Sequence, residues 1–162
     1  MARAYLLAPT LLLLCATAHA GEGVRLDGFS TAGGKATGTC GKAVVQIQGM
    51  DPANQSDGDS LIPSHGVITI KGEKATLTIG GESTSGVYLQ DQNKLHCLAS
   101  PKGPRLVLAS YCFGRDCAEV DYRIIDPATA RVISQQTSAD ECDEACAEKA
   151  LGIQLPEELD EA

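Results

Sequence analysis

The chain has 162 residues, 13 Lys and Arg against 21 Asp and Glu, and a formal net charge of −8. Such a balance argues against nucleic-acid and anionic-membrane partners, which select basic surfaces; it suits a basic protein partner or simple solubility. With two Phe, four Tyr and no Trp, the core must be mostly aliphatic.

Residues 1–20 read as a cleaved signal peptide. Arg3 supplies the positive start, Leu6 to Leu14 the apolar stretch, and Ala18-His19-Ala20 a small-residue cleavage site. The apolar run is too short to span a bilayer, so no membrane insertion is expected. Cys15 invites a lipid anchor, but Leu14 is larger than the small residue that usually precedes such a cysteine. Residues 21–155 are expected to form a single disulfide-bonded domain, with 156–162 as a frayed acidic tail. The mature chain carries 12 basic and 21 acidic groups, a net of −9. Export to an oxidising compartment is expected: the periplasm, which the Ala- and Gly-rich usage suggests, or the outside of the cell if the source is not Gram-negative. Six cysteines remain after cleavage: Cys40, Cys97, Cys112, Cys117, Cys142 and Cys146. An even number in an exported chain implies three disulfides, with the pairing left open.

In chain order, Gly21 to Gly41 is rich in Gly and Thr and reads as an extended lead-in with one short strand near Val24 to Leu26, tied to the body by Cys40. Ala43 to Gln48 is a strand. Asp51 to Ser64 reads as a polar loop; its carboxylates Asp51, Asp57 and Asp59 do not fit a calcium loop, because Ala53 stands where the first Asp is needed. Gly66 to Lys71 and Lys74 to Ile79 alternate as a hairpin across Lys71-Gly72-Glu73. Val87 to Gln90 and Lys94 to Ala99 predict another hairpin across Asp91-Gln92-Asn93. Arg105 to Ser134 predicts three antiparallel strands. Leu106, Leu108, Ser110 and Cys112 share one face of the first, Val107, Ala109 and Tyr111 the other. Asp126-Pro127-Ala128-Thr129 is a turn signal. Phe113-Gly114-Arg115-Asp116 tops the hairpin between Cys112 and Cys117, which are placed to close it.

A helix is expected over about 139–151, with Ser138 and Glu141 as a capping box and Gly152 as its stop. Residues four apart on a regular helix have Cβ atoms roughly 5–6 Å apart, too far for a disulfide. Cys142 and Cys146 are therefore expected to staple the helix to the β body, unless the first turn is irregular. The fold class is mainly β, an antiparallel sandwich or twisted sheet of about 7–8 strands with one C-terminal helix.

Catalytic signals are few. Ser64-His65 and His96-Cys97 pair a nucleophile with a base only in sequence, since adjacent strand residues face opposite ways. Four thiolates for zinc can be written from Cys112, Cys117, Cys142 and Cys146, but an oxidising compartment favours disulfides. No enzyme, no metal and no cofactor is expected, and binding remains.

Ser85-Gly86-Val87-Tyr88 reads Ser-Gly-x-Tyr. This resembles the motif of bacterial periplasmic lysozyme inhibitors, whose loop enters the lysozyme cleft so that Ser and Tyr meet the catalytic carboxylates. The resemblance implies partner-binding roles for Ser85, Gly86 and Tyr88, and for Lys102 as the lysine on a neighbouring segment. A hydroxyl and a phenol donate to an acidic cleft without adding charge, and Gly permits close approach. The competing reading is a Gly turn before a strand whose Tyr88 packs in the core. An exported, disulfide-bonded β domain with a charged hairpin loop and a Cys-bearing C-terminal helix also resembles the periplasmic immunity proteins of type VI amidase effectors. In that reading the loop Phe113 to Asp116 enters an amidase cleft; Arg115 and Asp116 are nominated because a disulfide-framed tip is rigid and loses little freedom on docking, and the competing reading is an ordinary solvated turn. Either way the chain is expected to block a basic peptidoglycan hydrolase, amidase or lysozyme. The alternative is a periplasmic small-ligand-binding or structural module.

Overall fold

The computed structural model describes residues 30–32, 34–50, 62–82, 85–112, 120–134, 142–156 and 159. The expected signal peptide and the Arg115-Asp116 tip lie outside these residues. The described chain is an antiparallel sandwich with a helix laid on its outside, the architecture expected from the sequence.

Ten strands form two five-stranded sheets. The first holds, from edge to edge, β1 (Ser30–Ala32), β2 (Lys35–Cys40), β3 (Ala43–Gln48), β5 (Val67–Lys71) and β6 (Thr76–Ile79). The second holds β10 (Arg131–Val132), β9 (Val120–Asp126), β8 (Gly103–Tyr111), β7 (Gln92–Ser100) and β4 (Ile62–Pro63). The alternation of β3 is strict. Ala43, Val45 and Ile47 are buried, while Val44 and Gln48 are exposed. Its inward residues meet Ile68 and Ile70 of β5 and Leu95, Leu106, Leu108 and Ile125 of the second sheet in one core. Alternating β-branched residues produce this because a strand presents every second side chain to one face.

The second sheet is buried on both faces. Val107, Ala109 and Tyr111 of β8 and Tyr122 and Ile124 of β9 form a separate core with Ala147, Leu151, Leu155 and Leu159. Helix α1 (Glu144–Leu151) lies here, and Gly152 stops it, its N–H donating to the Glu148 carbonyl at 2.7 Å.

Four expectations are corrected. The lead-in holds the paired strands β1 and β2; Thr39 faces Val44 and Cys40 faces Ala43, so pairing with β3 makes a strand of a weakly apolar stretch. Ile62 and Pro63, assigned to a polar loop, pair with Asn93 and Gln92 as an edge strand, where proline is tolerated. Asp91-Gln92-Asn93 is no hairpin turn, because β7 already begins at Gln92 and pairs without interruption with β8 from Gln92–Tyr111 to Ser100–Gly103. The tail is not wholly frayed. Leu155 and Leu159 are buried, and the hydroxyls of Tyr111 and Tyr122 both donate to the Leu159 carbonyl, at 2.8 and 3.4 Å.

The cysteines supply the fifth correction. Cys142 and Cys146 bridge each other, with Cα atoms 5.3 Å apart. The helix is not regular through both. Asp143 is its N-cap, with extended backbone and a side chain accepting the Cys146 N–H at 2.9 Å, so Cys142 stands one residue outside it. The capping box at Ser138 and Glu141 lies outside the described residues. Cys142 is held on the sheet instead by Tyr122, whose N–H donates to its carbonyl, and by Asp121, which accepts its N–H. Cys40 and Cys97 cross-link the two sheets, as the tie expected of Cys40 requires. Cys112 is also disulfide-bonded; Cys117 lies outside the described residues. Such bridges are the chemistry of an oxidising compartment.

Closing a long loop removes more disorder from the unfolded chain than closing a short one. The Cys40–Cys97 bridge spans 57 residues and Cys142–Cys146 spans four. Urea unfolding of Cys40→Ala/Cys97→Ala should show a loss of about 4 kcal/mol, and that of Cys142→Ala/Cys146→Ala about half as much. Leu159→Ala should cost about 2–3 kcal/mol in the same assay, whereas a truly frayed tail would give no change.

Candidate functional site

The two ends of the sandwich are built differently. At one end lie tight connections: Gly41-Lys42, Gly72 to Ala75, Pro101-Lys102 and Pro127 to Ala130. They brace one another. The Glu73 N–H donates to the Ala128 carbonyl at 3.1 Å, and Lys42 pairs with Glu73 at 3.0 Å. Gly72 has no room for a side chain, because a Cβ there would meet the Pro127 carbonyl oxygen at 2.6 Å. At the other end the short turn Ser64 to Gly66 stands beside longer connections, and the segment between β6 and β7 carries Ser85, Gly86 and Tyr88.

That segment is pinned at two points and open between them. The Ser85 Oγ accepts the Val87 N–H at 3.3 Å, a local turn that serine favours. Gly86 has a left-handed backbone, φ 73°, with nothing within 4 Å of where a Cβ would sit, so the chain bends there into open space. Val87 turns inward and is buried in the sandwich core. Tyr88 turns outward and is 75% exposed. The core-packing alternative for Tyr88 is thereby set aside. Leu89 returns to the core beneath Gly80.

The second pin is Asn93, fully buried at the start of β7. Its Oδ1 accepts the Gln90 N–H at 3.0 Å; its Nδ2 donates to the carbonyls of Gln90 at 3.0 Å and Ile62 at 2.9 Å. One amide thus satisfies the backbone of a segment that has left the sheet and ties it to β4. Sequence reasoning placed Asn93 in a turn and missed this. The signal that identifies it is the length of the β7–β8 pairing, which carries Asn93 into the sheet opposite Ser110.

The site residues do not all come together. Lys102 is exposed in the β7–β8 turn, where its N–H donates to the Ser100 Oγ at 3.2 Å and its carbonyl accepts from Arg105 at 3.1 Å. The rise of β7 at about 3.3 Å per residue puts this turn roughly 26 Å from the Tyr88 end. Lys102 therefore lies at the opposite end of the sandwich from Ser85 and Tyr88. The connection that carries Arg115 and Asp116 leaves β8 after Tyr111 and enters β9 at Val120. Those two residues pair with each other, and Tyr111 also pairs with Gln92, so the connection starts and ends at the Tyr88 end.

Of the two sequence pairs weighed for catalysis, Cys97 is oxidised in a disulfide and has no thiol. Ser64 and His65 are exposed neighbours in the turn after β4. Among the described residues no group of three or more His, Cys, Asp or Glu is arranged to hold a metal, and no helix is long and apolar enough to cross a membrane. No protein-family model, curated protein or solved structure matches the chain.

If Asn93 is the clamp, Asn93→Ala should leave backbone groups of half-buried Gln90 and buried Ile62 unsatisfied and cost about 2–3 kcal/mol in urea unfolding. Amide exchange at Gln90 should rise more than at β8, and an equal rise throughout would show that the residue is not a local pin.

Proposed function

We propose that the protein is an exported, periplasmic inhibitor of a peptidoglycan hydrolase, acting by inserting the Ser85–Tyr88 segment into the enzyme's active-site cleft. The observation that carries this reading is the exposure of Tyr88, 75%, beside a buried Val87. A phenol held out from a pinned backbone loses little freedom on docking, which is the main cost that a rigid plug avoids. Tyrosine is also among the residues that most often dominate binding energy at interfaces.

The chemistry fits a cleft lined by catalytic carboxylates. The Tyr88 phenol and the Ser85 hydroxyl can donate hydrogen bonds, and the backbone at Gly86 has no side chain to hold a partner off. The net charge of −8 suits a basic enzyme body and speeds encounter. Lysozyme inhibition and immunity to an amidase effector are two forms of the same occlusion.

The test is a titration of the purified protein against a panel of lysozymes and exported peptidoglycan amidases. The parent should inhibit at least one enzyme at near-stoichiometric concentration. Ser85→Ala/Tyr88→Ala should weaken that inhibition tenfold or more, about 1.4 kcal/mol of binding. Lys102→Ala should leave it unchanged. An inactive parent sinks the proposal, and a double variant as potent as the parent sinks this segment's part in it.

A further inference from the structure

The face of the first sheet that points away from the core has a composition unlike the rest of the chain. Its side chains come from alternate positions of β2, β3, β5 and β6: Lys35, Thr37 and Thr39; Val44, Gln46 and Gln48; Val67, Thr69 and Lys71; Thr76 and Thr78. All are exposed or half-exposed. No carboxylate is among them, although the chain has 21 Asp and Glu.

The strand register orders these groups into rows. Thr37 faces Gln46, Gln46 faces Thr69, and Thr69 faces Thr78. A row of hydroxyls and one amide thus crosses four strands. A second row runs Thr39, Val44, Lys71, Thr76, and a third Lys35, Gln48, Val67. Neighbouring groups stand about 4.8 Å apart across the strands and about 6.7 Å along them. Each hydroxyl and each amide both donates and accepts. The two lysines lie two strands apart, Lys35 in the third row and Lys71 in the second, roughly 16 Å from each other by the same spacings.

We propose that this face binds an extended, carboxylate-bearing polysaccharide. The lysines would meet its carboxylates, and the threonine and glutamine rows would exchange hydrogen bonds with its hydroxyls. Charge complementarity selects the occupant. A face that carries two lysines and no carboxylate, on an acidic chain, is one a polyanion can approach. A second copy of the same face would set one basic surface against another. An acidic protein partner is disfavoured because the face has no aromatic or Arg anchor and no pocket for one. The proposal rests on residues other than Ser85–Tyr88 and stands or falls apart from the inhibitor reading.

Affinity electrophoresis at pH 7 tests it, with the full mature chain run through gels containing polygalacturonate, neutral dextran or poly-L-glutamate. Polygalacturonate should retard the parent, and added salt should relieve the retardation, because exposed charges are screened. Dextran and poly-L-glutamate should retard it at least tenfold less. Lys35→Glu/Lys71→Glu should abolish the effect, and Lys35→Gln/Lys71→Gln, which removes charge without adding any, should weaken it tenfold or more. The substituted positions are exposed, and far-UV circular dichroism confirms the fold of each variant. No retardation of the parent, equal retardation of the lysine variants, or equal retardation by dextran overturns the proposal. Equal retardation by poly-L-glutamate overturns the polysaccharide as occupant.

Discussion

Strand β8 is apolar on both sides, and much of the architecture answers the need to cover it twice. Leu106 and Leu108 face the first sheet, while Val107, Ala109 and Tyr111 face away from it. Burying a Leu or Val side chain contributes about 1.5–3 kcal/mol, so neither set can be left in water. The first sheet covers one side. The other needs a second layer, which eight helical residues begin and Leu155 and Leu159 complete. The C-terminal segment is therefore part of the fold. Its carbonyl at Leu159 in turn receives both tyrosine hydroxyls of the outer core, so the segment is tied to the sheet by hydrogen bonds as well as by apolar contact.

The same strand also sets the difference between the two ends. β7 and β8 are joined by a two-residue turn, so their shared register brings Ser100 and Gly103 together at one end and Gln92 and Tyr111 at the other. At the first end Arg105 lies 3.6 Å from Asp126, and the neighbouring turns lock through Gly72 and Glu73. Little area is left there for a partner to insert against. At the second end the chain between β6 and β7 leaves the sheets for twelve residues, and it is there that a backbone can be held by pins and still present a side chain. Function is more easily placed on such connections because the scaffold beneath them is already satisfied.

Local patterns were legible in the sequence, and contacts between distant segments were not. The strands β3, β5, β6, β8 and β9 follow from alternation, and the Asp126-Pro127 turn from its chemistry: Asp126 accepts the Ala128 N–H at 3.1 Å and the Thr129 hydroxyl at 2.9 Å. β2 and β4 did not, because Thr, Gly and Pro become strand residues only once Ala43 to Gln48 and Gln92-Asn93 lie beside them. The Cys142–Cys146 bridge was hidden because the helix starts at Glu144 and not near residue 139. An acid-rich run reads as a first helical turn, yet Asp143 serves as the cap and Asp121, from a strand twenty-one residues earlier, holds Cys142 off the helix. The Ser85–Tyr88 segment was legible as a motif. Its exposure was not, since Gly followed by an alternating apolar pair fits a strand equally well.

The three described tyrosines show why that exposure carries weight. Tyr111 and Tyr122 are buried, their rings in the outer core and their hydroxyls on one carbonyl. A chain with two Phe and no Trp gains much from each such ring. Tyr88 makes no comparable contribution, though it stands between two residues, Val87 and Leu89, that both turn into the core. Alternation forces this: with its neighbours inside, the tyrosine must point out, and the Asn93 clamp prevents the backbone from rotating it back. Any polar residue would satisfy the same geometry at less apolar exposure. A phenol at that position adds ring area and a hydrogen-bond donor that the fold itself does not use, and both become favourable only when another surface closes over them.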